Sequence, residues 1–272
     1  MRKLTSHFTR FIGLCAALGL IFLSCAQPAL AMKVAPAVVE MYIPPGGEYE
    51  GEFEVTNTAD AAVVIQASFE DESEWERALV GEGRDAGALK AWLTLKQVEI
   101  ALRPGESGKL AYKVAVPKEG VQAELKGHVF FEQRALEEGE GAVSVVARIG
   151  NAVYCIIRGT EDIRAKVTEF SFQPDSQVFR VAIQNEGNVH IRPKGELVIT
   201  PAGEVGAEGA VVVPVNERGH PLMYQESAPF TIRLDKPLPP GKYHAKVELV
   251  FGNPVVILKE EMDLTVHPSE AP

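Results

Sequence analysis

From Met32 onward the chain returns, about every ten to fifteen residues, to short stretches rich in Val, Ile, Phe and Tyr, separated by Gly, Pro, Asn and Asp, with no sustained helical periodicity. That rhythm predicts an all-β protein. Strands are expected over residues 34–41, 49–57, 63–70, 94–102, 108–116, 125–134 and 143–158, and again over 163–172, 178–185, 195–200, 209–215, 228–234, 243–251 and 255–266. Two series of this kind predict two consecutive all-β sandwich domains, 32–158 and 159–267, followed by a polar tail, 268–272. The boundary falls near Gly159.

The alternation is clearest in GEFEVTNT, where Phe53 and Val55 face one way and Glu52, Glu54 and Thr56 the other, because strand side chains repeat every second residue. LKGHVFFEQ and AVYCIIR are more continuously apolar and read as core strands. Residues 71–92 break the pattern: they are expected to hold a turn or two of helix around 73–79 and then a Gly-rich loop, either a solvated acidic loop or a functional one.

A weak internal repeat ties the two series together. FEVTN at 53–57 matches VAIQN at 181–185, and ESGKLAYKV at 106–114 matches ESAPFTIRL at 226–234, in the same order. Asn and Gly at such points accept the turn conformations that reverse an antiparallel strand, so the repeat is read as shared architecture.

The N-terminus sets the compartment. Arg2, Lys3 and Arg10 precede an apolar run over residues 11–23, with no acidic residue before Glu40, and Ala29 and Ala31 flank Leu30 in an A-x-A arrangement. Residues 1–31 are therefore expected to be a signal peptide cleaved after Ala31, with lipoprotein processing at Cys25 as the alternative. Cleavage removes three of the 27 basic residues and none of the 37 acidic ones, leaving a formal charge of −13. Such a field repels phosphate backbones, so no nucleic-acid partner is expected. No second apolar stretch approaches the ~18 residues that span a bilayer, and the exported chain is expected to be soluble. Cys155 is then its single thiol, which excludes an intramolecular disulfide.

Catalytic signatures are missing from the linear sequence. His128, His190, His220, His244 and His267 are scattered, and there is no H-E-x-x-H, C-x-x-C, G-x-S-x-G or phosphate-binding glycine loop. Glu70, Asp71, Glu72, Glu74 and Glu76 lack the glycine-punctuated spacing of a calcium loop, and Glu137, Glu138 and Glu140 read as a charged hairpin tip. Cys155, in an apolar run, reads as a buried core residue. We therefore expect no enzyme, no cofactor and no metal site.

Taken in order, VAPAVVEMYIPPGGEYEGEFEVTNTADAAVVIQASFE and WLTLKQVEIALRPGESGKLAYKVAVP resemble the N-terminal domain of PapD-like periplasmic pilus assembly chaperones. The likeness rests on a first strand ending in Pro-Gly, a strand closing on Thr-Asn, W-L-x-L at residues 92–95 and P-G-E-S after Leu102, with a second sandwich behind. It implies a periplasmic protein that binds pilin-like subunits by β-strand addition, with an outer-membrane usher as a further partner. The apolar row Val143, Val145, Ala147 and Ile149, alternating with Ser144, Val146, Arg148 and Gly150, is the expected client-binding edge or, alternatively, an ordinary core strand. The family also implies a basic pair that anchors the client's terminal carboxylate, an Arg on the first strand and a Lys on the last. Here those positions fall on Glu40 or Met41 and close to Tyr154, leaving Arg148 and Arg158 as the basic residues near the expected anchor. The alternative function is an envelope binding or adhesion module with tandem immunoglobulin-like domains and no chaperone activity.

Overall fold

The structure, a computed structural model, describes residues 32–71, 88–121, 123–135, 147–203 and 209–268. Two β-sandwiches follow one another, each closed over its own hydrophobic core.

The first sandwich contains β1 (Met32–Ala35), β2 (Val38–Ile43), β3 (Glu48–Asn57), β4 (Val63–Asp71), the single-turn helix α1 (Ala88–Trp92), β5 (Leu93–Leu95), β6 (Glu99–Leu102), β7 (Ser107–Ala115), β8 (Glu124–Ala135) and β9 (Arg148–Ile157). Its sheets are ordered β1-β3-β7-β5 and β2-β9-β8-β4-β6. Alternation decides what fills the space between them: Phe53, Val55, Leu110 and Val114 enter from one sheet, and Met41, Ile65, Val129, Phe131, Val153 and Cys155 from the other. Phe53 meets Phe131 edge-on at 5.2 Å across the layer. Glu52, Glu54 and Thr56 stand on the outer face, where Glu52 pairs with Lys109 and, earlier on the same strand, Glu48 with Lys113.

The second sandwich contains β10 (Ala165–Gln173), β11 (Val178–Asn185), β12 (Lys194–Pro201), β13 (Val211–Val215), β14 (Ser227–Arg233), β15 (Gly241–Phe251) and β16 (Val256–Val266), in sheets β10-β11-β14 and β13-β12-β15-β16. Phe179, Val181, Ile183, Leu197, Ile199, Val247 and Leu249 form its centre.

Two expected strands each turn out to be a pair. The run over 34–41 divides at Pro36: β1 pairs antiparallel with β3, and β2 pairs in parallel with β9 in the opposite sheet. Proline has no N–H to continue a ladder, so the chain changes sheets there. The run over 94–102 divides likewise, β5 joining β7 and β6 joining β4, with the Gln97 amide donating to the Glu99 carbonyl at 2.6 Å across the turn. Apolar alternation reports which residues face a core, and it continues unbroken when a strand passes from one sheet to the other across that core. The helix expected around 73–79 and the acidic tip at 137–140 lie outside the described residues, and α1 occupies the end of the stretch read as a loop.

The repeat, in contrast, is reproduced in atomic detail. The Asn57 side-chain amide donates to the carbonyls of Ala61 and Leu102 at 2.9 and 3.1 Å, and its Oδ1 accepts from the Ala59 N–H. Asn185 does the same with Val189, Leu222 and Gly187. The Glu106 carboxylate accepts from the Arg103 N–H, as the Glu226 carboxylate does from the Met223 N–H.

Candidate functional site

Two regions hold the residues singled out from the sequence or their neighbours, and both involve β9. The first is its leading half. β8 pairs with β9 from Arg148 onward, whereas β2 reaches it only at Ala152. The Ala147 carbonyl accepts from the Gln133 N–H at 3.0 Å. Because peptide groups alternate in direction along an antiparallel strand, the N–H and C=O of Arg148 and Gly150 point away from β8. At the inner end of this stretch the Asn151 amide donates to the Pro36 carbonyl at 2.6 Å, and its Oδ1 is buried without a hydrogen-bond partner among the described residues.

Of the residues expected to form an apolar edge, Val143 and Val145 lie outside the described residues. Ala147 and Ile149 are partly buried and pack against the first core. Arg148 projects from the opposite face, where its guanidinium lies 3.7 Å from the centroid of the Phe130 ring and pairs with Glu132 and Glu70. Arg158 donates its N–H to the Ile43 carbonyl and holds its guanidinium 5.6 Å from the Tyr42 ring. Ten positions along an extended strand separate the two arginines by roughly 30 Å, so they do not converge on one ligand.

The second region lies on the outer face of the five-stranded sheet, against the second sandwich. Glu40 and Tyr154 are directly opposed in the β2–β9 register, and Met41 opposes Cys155 inside the core. Of the two candidates for the implied first-strand anchor, Glu40 therefore sits on the outer face beside a phenol, and Met41 points into the core. The basic groups arrive from the other sandwich. Ile191 is buried and bridges to Leu222, so its neighbours His190 and Arg192 project the opposite way, toward the first sandwich. Two hinge-side contacts hold this segment: the Asn185 turn at Val189, and Asn188, which accepts from the Asp162 N–H and donates to the Thr160 carbonyl.

His190 stands between two carboxylates. Its Nδ1 lies 2.7 Å from Glu124 Oε2, which also accepts the His190 backbone N–H at 2.9 Å, and its Nε2 lies 3.1 Å from Glu40 Oε1. The imidazole lies against the Tyr154 ring, with centroids 4.1 Å apart and planes tilted by 34°. Arg192 donates Nε to Glu40 and Nη1 to the Gly219 carbonyl at 2.7 Å. His190 and Glu124 are almost wholly buried, whereas Glu40 and Arg192 stay partly open to solvent. Beside them Ala123, Ile156 and Val189 form a small apolar contact with Tyr42 and Ile163.

The electrostatics follow from this geometry. Burial opposes a charge on His190, but hydrogen bonds to Glu124 and Glu40 outweigh it and raise the imidazole to about 9. The His190 hydrogen bond, with Arg192 assisting against burial, holds Glu40 down to about 2. Burial raises Tyr154, and pushes the Cys155 thiol up to about 12, where it is a core residue and not a nucleophile. Both ring nitrogens of a protonated His190 therefore donate to carboxylates, and with Arg192 the cluster holds two cations against two anions. Among the described residues no group of three His, Cys, Asp or Glu side chains is arranged to hold a metal ion.

His190, Arg192 and Glu124 were not singled out as a site from the sequence. Their local signal is faint: NVHIRP places two basic residues on either side of one apolar residue. Their partners lie 66 and 150 positions away, beyond the reach of any local pattern.

No protein-family model and no curated protein matches this chain. Among solved structures it is similar to the YadV chaperone (7% identity over 86% of this chain and 100% of that one, TM-score 0.46). It is also similar to the Pseudomonas aeruginosa CupB2 chaperone (10% identity, 86% and 100% covered, TM-score 0.44). A chain of the Salmonella enterica SafA pilin–SafB chaperone complex is similar as well (10% identity, 88% and 98% covered, TM-score 0.45).

Proposed function

We propose that this protein is a periplasmic chaperone-like factor of surface-fibre assembly, exported by cleavage after Ala31, whose 32–158 domain binds pilin-like subunits by strand addition along the leading half of β9. The observation that carries the reading is the point at which β2 begins: ahead of Ala152, β9 is paired with β8 alone among the described residues. An added strand would complete the ladder at Arg148 and Gly150, place its inward side chains over Ala147 and Ile149, and bring a donor toward the orphaned Asn151 Oδ1. An outer-membrane usher would then receive the loaded complex.

Capture from periplasm expressing the fibre genes is expected to recover a subunit with an incomplete sandwich, and the Arg148 and Gly150 amides should exchange more slowly in that complex. Failure to recover such a subunit sinks the proposal. Ala147→Asp should abolish capture, because a strand laid over it would bury the new carboxylate.

A second reading, an envelope binding or adhesion module, is favoured by one observation. Of the two positions on which the implied basic anchor falls, Met41 is buried in the core and Glu40 is already paired with His190 and Arg192. Under that reading the protein binds partners with no assembly role, and capture would recover complete, folded proteins.

A further inference from the structure

Asn151 Oδ1 is not the only orphaned acceptor beside the leading half of β9: Gln133 Oε1 is also buried without a hydrogen-bond partner among the described residues. Gln133 lies on β8 opposite Ala147, to whose carbonyl its N–H donates, and Asn151 lies opposite Val129, further along β9. Val129 and Phe131 are wholly buried, so by alternation Gln133 faces the interior of the first sandwich, as Asn151 does with Val153. Two acceptors without donors therefore flank Ala147 and Ile149, on the face that an added strand would cover. We propose that Gln133 and Asn151 are specificity residues that select a client strand carrying neutral hydrogen-bond donors on its inward row. The inference rests on strand addition along β9 and names the chemistry of the partner.

Buried polar atoms are almost always paired, and an acceptor left without a donor destabilises the fold until one is supplied. Asn151 cannot relieve this by turning its amide. Its Nδ2 donates to the Pro36 carbonyl at 2.6 Å, and rotation would set Oδ1 against that carbonyl, acceptor facing acceptor. The Pro36 carbonyl stands there because the chain passes between the two sheets at this residue, from β1 to β2.

The same crossing limits where a client can lie. β2 takes up pairing with β9 at Ala152, so the last inward residue of an added strand falls opposite Ile149, one diagonal from Asn151. A Thr hydroxyl or an Asn amide there reaches Oδ1. At the other end an added strand and β8 would lie roughly 9–10 Å apart, on either side of β9. Ala147 between them presents only a methyl group, so a Gln opposite it reaches over to Gln133 Oε1. Acidic side chains are excluded, because they would bring acceptors to acceptors. Lys and Arg are disfavoured, because Gln133, Ala147, Ile149 and Asn151 offer a buried cation no countercharge. The outward row offers little to read: Arg148 is engaged by Glu132, Glu70 and the Phe130 ring, and that ring covers Gly150, where a β-carbon would lie 2.7 Å from it.

The probes are short synthetic strands with Lys at the outward positions, differing only at two inward ones: Gln-x-Thr, its apolar isostere Met-x-Val, and Glu-x-Glu. Binding to the full chain purified from periplasm is measured by calorimetry. In an ordinary apolar groove Met-x-Val binds best, since a buried amide and hydroxyl lose their water. Here Gln-x-Thr should bind about tenfold more tightly than Met-x-Val, and Glu-x-Glu not measurably. Gln133→Leu and Asn151→Leu should each erode that preference, and the double variant should reverse it by gaining affinity for Met-x-Val, which a misfolded protein would not do. If Asn151→Leu does not fold for want of a donor to Pro36, the wild-type panel and Gln133→Leu decide. Equal or tighter binding of Met-x-Val to the wild type overturns the donor preference and leaves strand addition standing. Failure of every strand to bind, with the Arg148 and Gly150 amides exchanging as in the free protein, overturns strand addition and this inference with it.

Discussion

Asn57 and Asn185 make the same three hydrogen bonds in the two sandwiches, each amide tying a turn four residues ahead to a distant carbonyl, of Leu102 or Leu222. Both side chains are wholly buried, so truncation strands two carbonyls and an N–H with no water to replace the lost partner. Asn57→Ala and Asn185→Ala should each cost roughly 2–4 kcal/mol in urea denaturation. Asp at either position should do no better, because a carboxylate cannot donate to the carbonyls.

The repeat that flagged these asparagines shows what was legible. A strand must alternate to bury one face, so the bounds of β11 and the inward set Phe53 and Val55 could be read directly, and buried turn asparagines recur because the turn demands them. The side on which each strand pairs could not be read. Pro36 and Gln97 send the chain between sheets while both sheets face one core, which leaves the apolar pattern unchanged. The cluster around His190 was hidden for a related reason: a charged residue on an outer face looks solvated until the second sandwich is docked over it.

The same cluster makes interdomain docking depend on pH in a direction that can be worked out. His190 binds its proton more tightly when docked, so its contribution is complete below 6.5 and is lost as the pH rises through about 9. Glu40 is held at about 2 from 4.5, so its contribution is complete above 4.5 and is lost as the pH falls toward 2. Thermal midpoints should therefore be flat and highest between about 4.5 and 6.5 and decline on both sides. Glu40→Gln should lower the His190 value seen by imidazole NMR, since one of the two carboxylates that raise it is removed. An unchanged histidine titration would mean that the Glu40 contact is not made in solution.

Cys155 offers a check on the first core. The thiol is fully buried and pushed up to about 12 by burial, with the Glu124 charge adding to the shift. In protein lacking residues 1–31 it is the only cysteine, so a thiol reagent at neutral pH should find none in the native state and one per chain in urea. The rate of appearance reports opening of the first sandwich alone. Rapid labelling without denaturant would contradict the packing of β9.

Gly187 tests how the linker aims His190. A β-carbon there would sit 2.1 Å from the Asp162 carbonyl oxygen, a backbone atom that cannot rotate aside. At this crossing the N–H groups of Glu186 and Gly187 donate to the Arg164 carbonyl and the Asn188 N–H donates to Asp162, so linker and turn form one unit. Gly187→Ala must push residues 162–164 away or displace 188–192, and either shift spoils the placement of His190 between Glu124 and Glu40. The cost should be roughly 1–3 kcal/mol, and the pH dependence of the thermal midpoint should flatten along with it. Loss of stability with the full pH dependence retained would place the strain in the turn alone and show that the linker does not set the histidine's position.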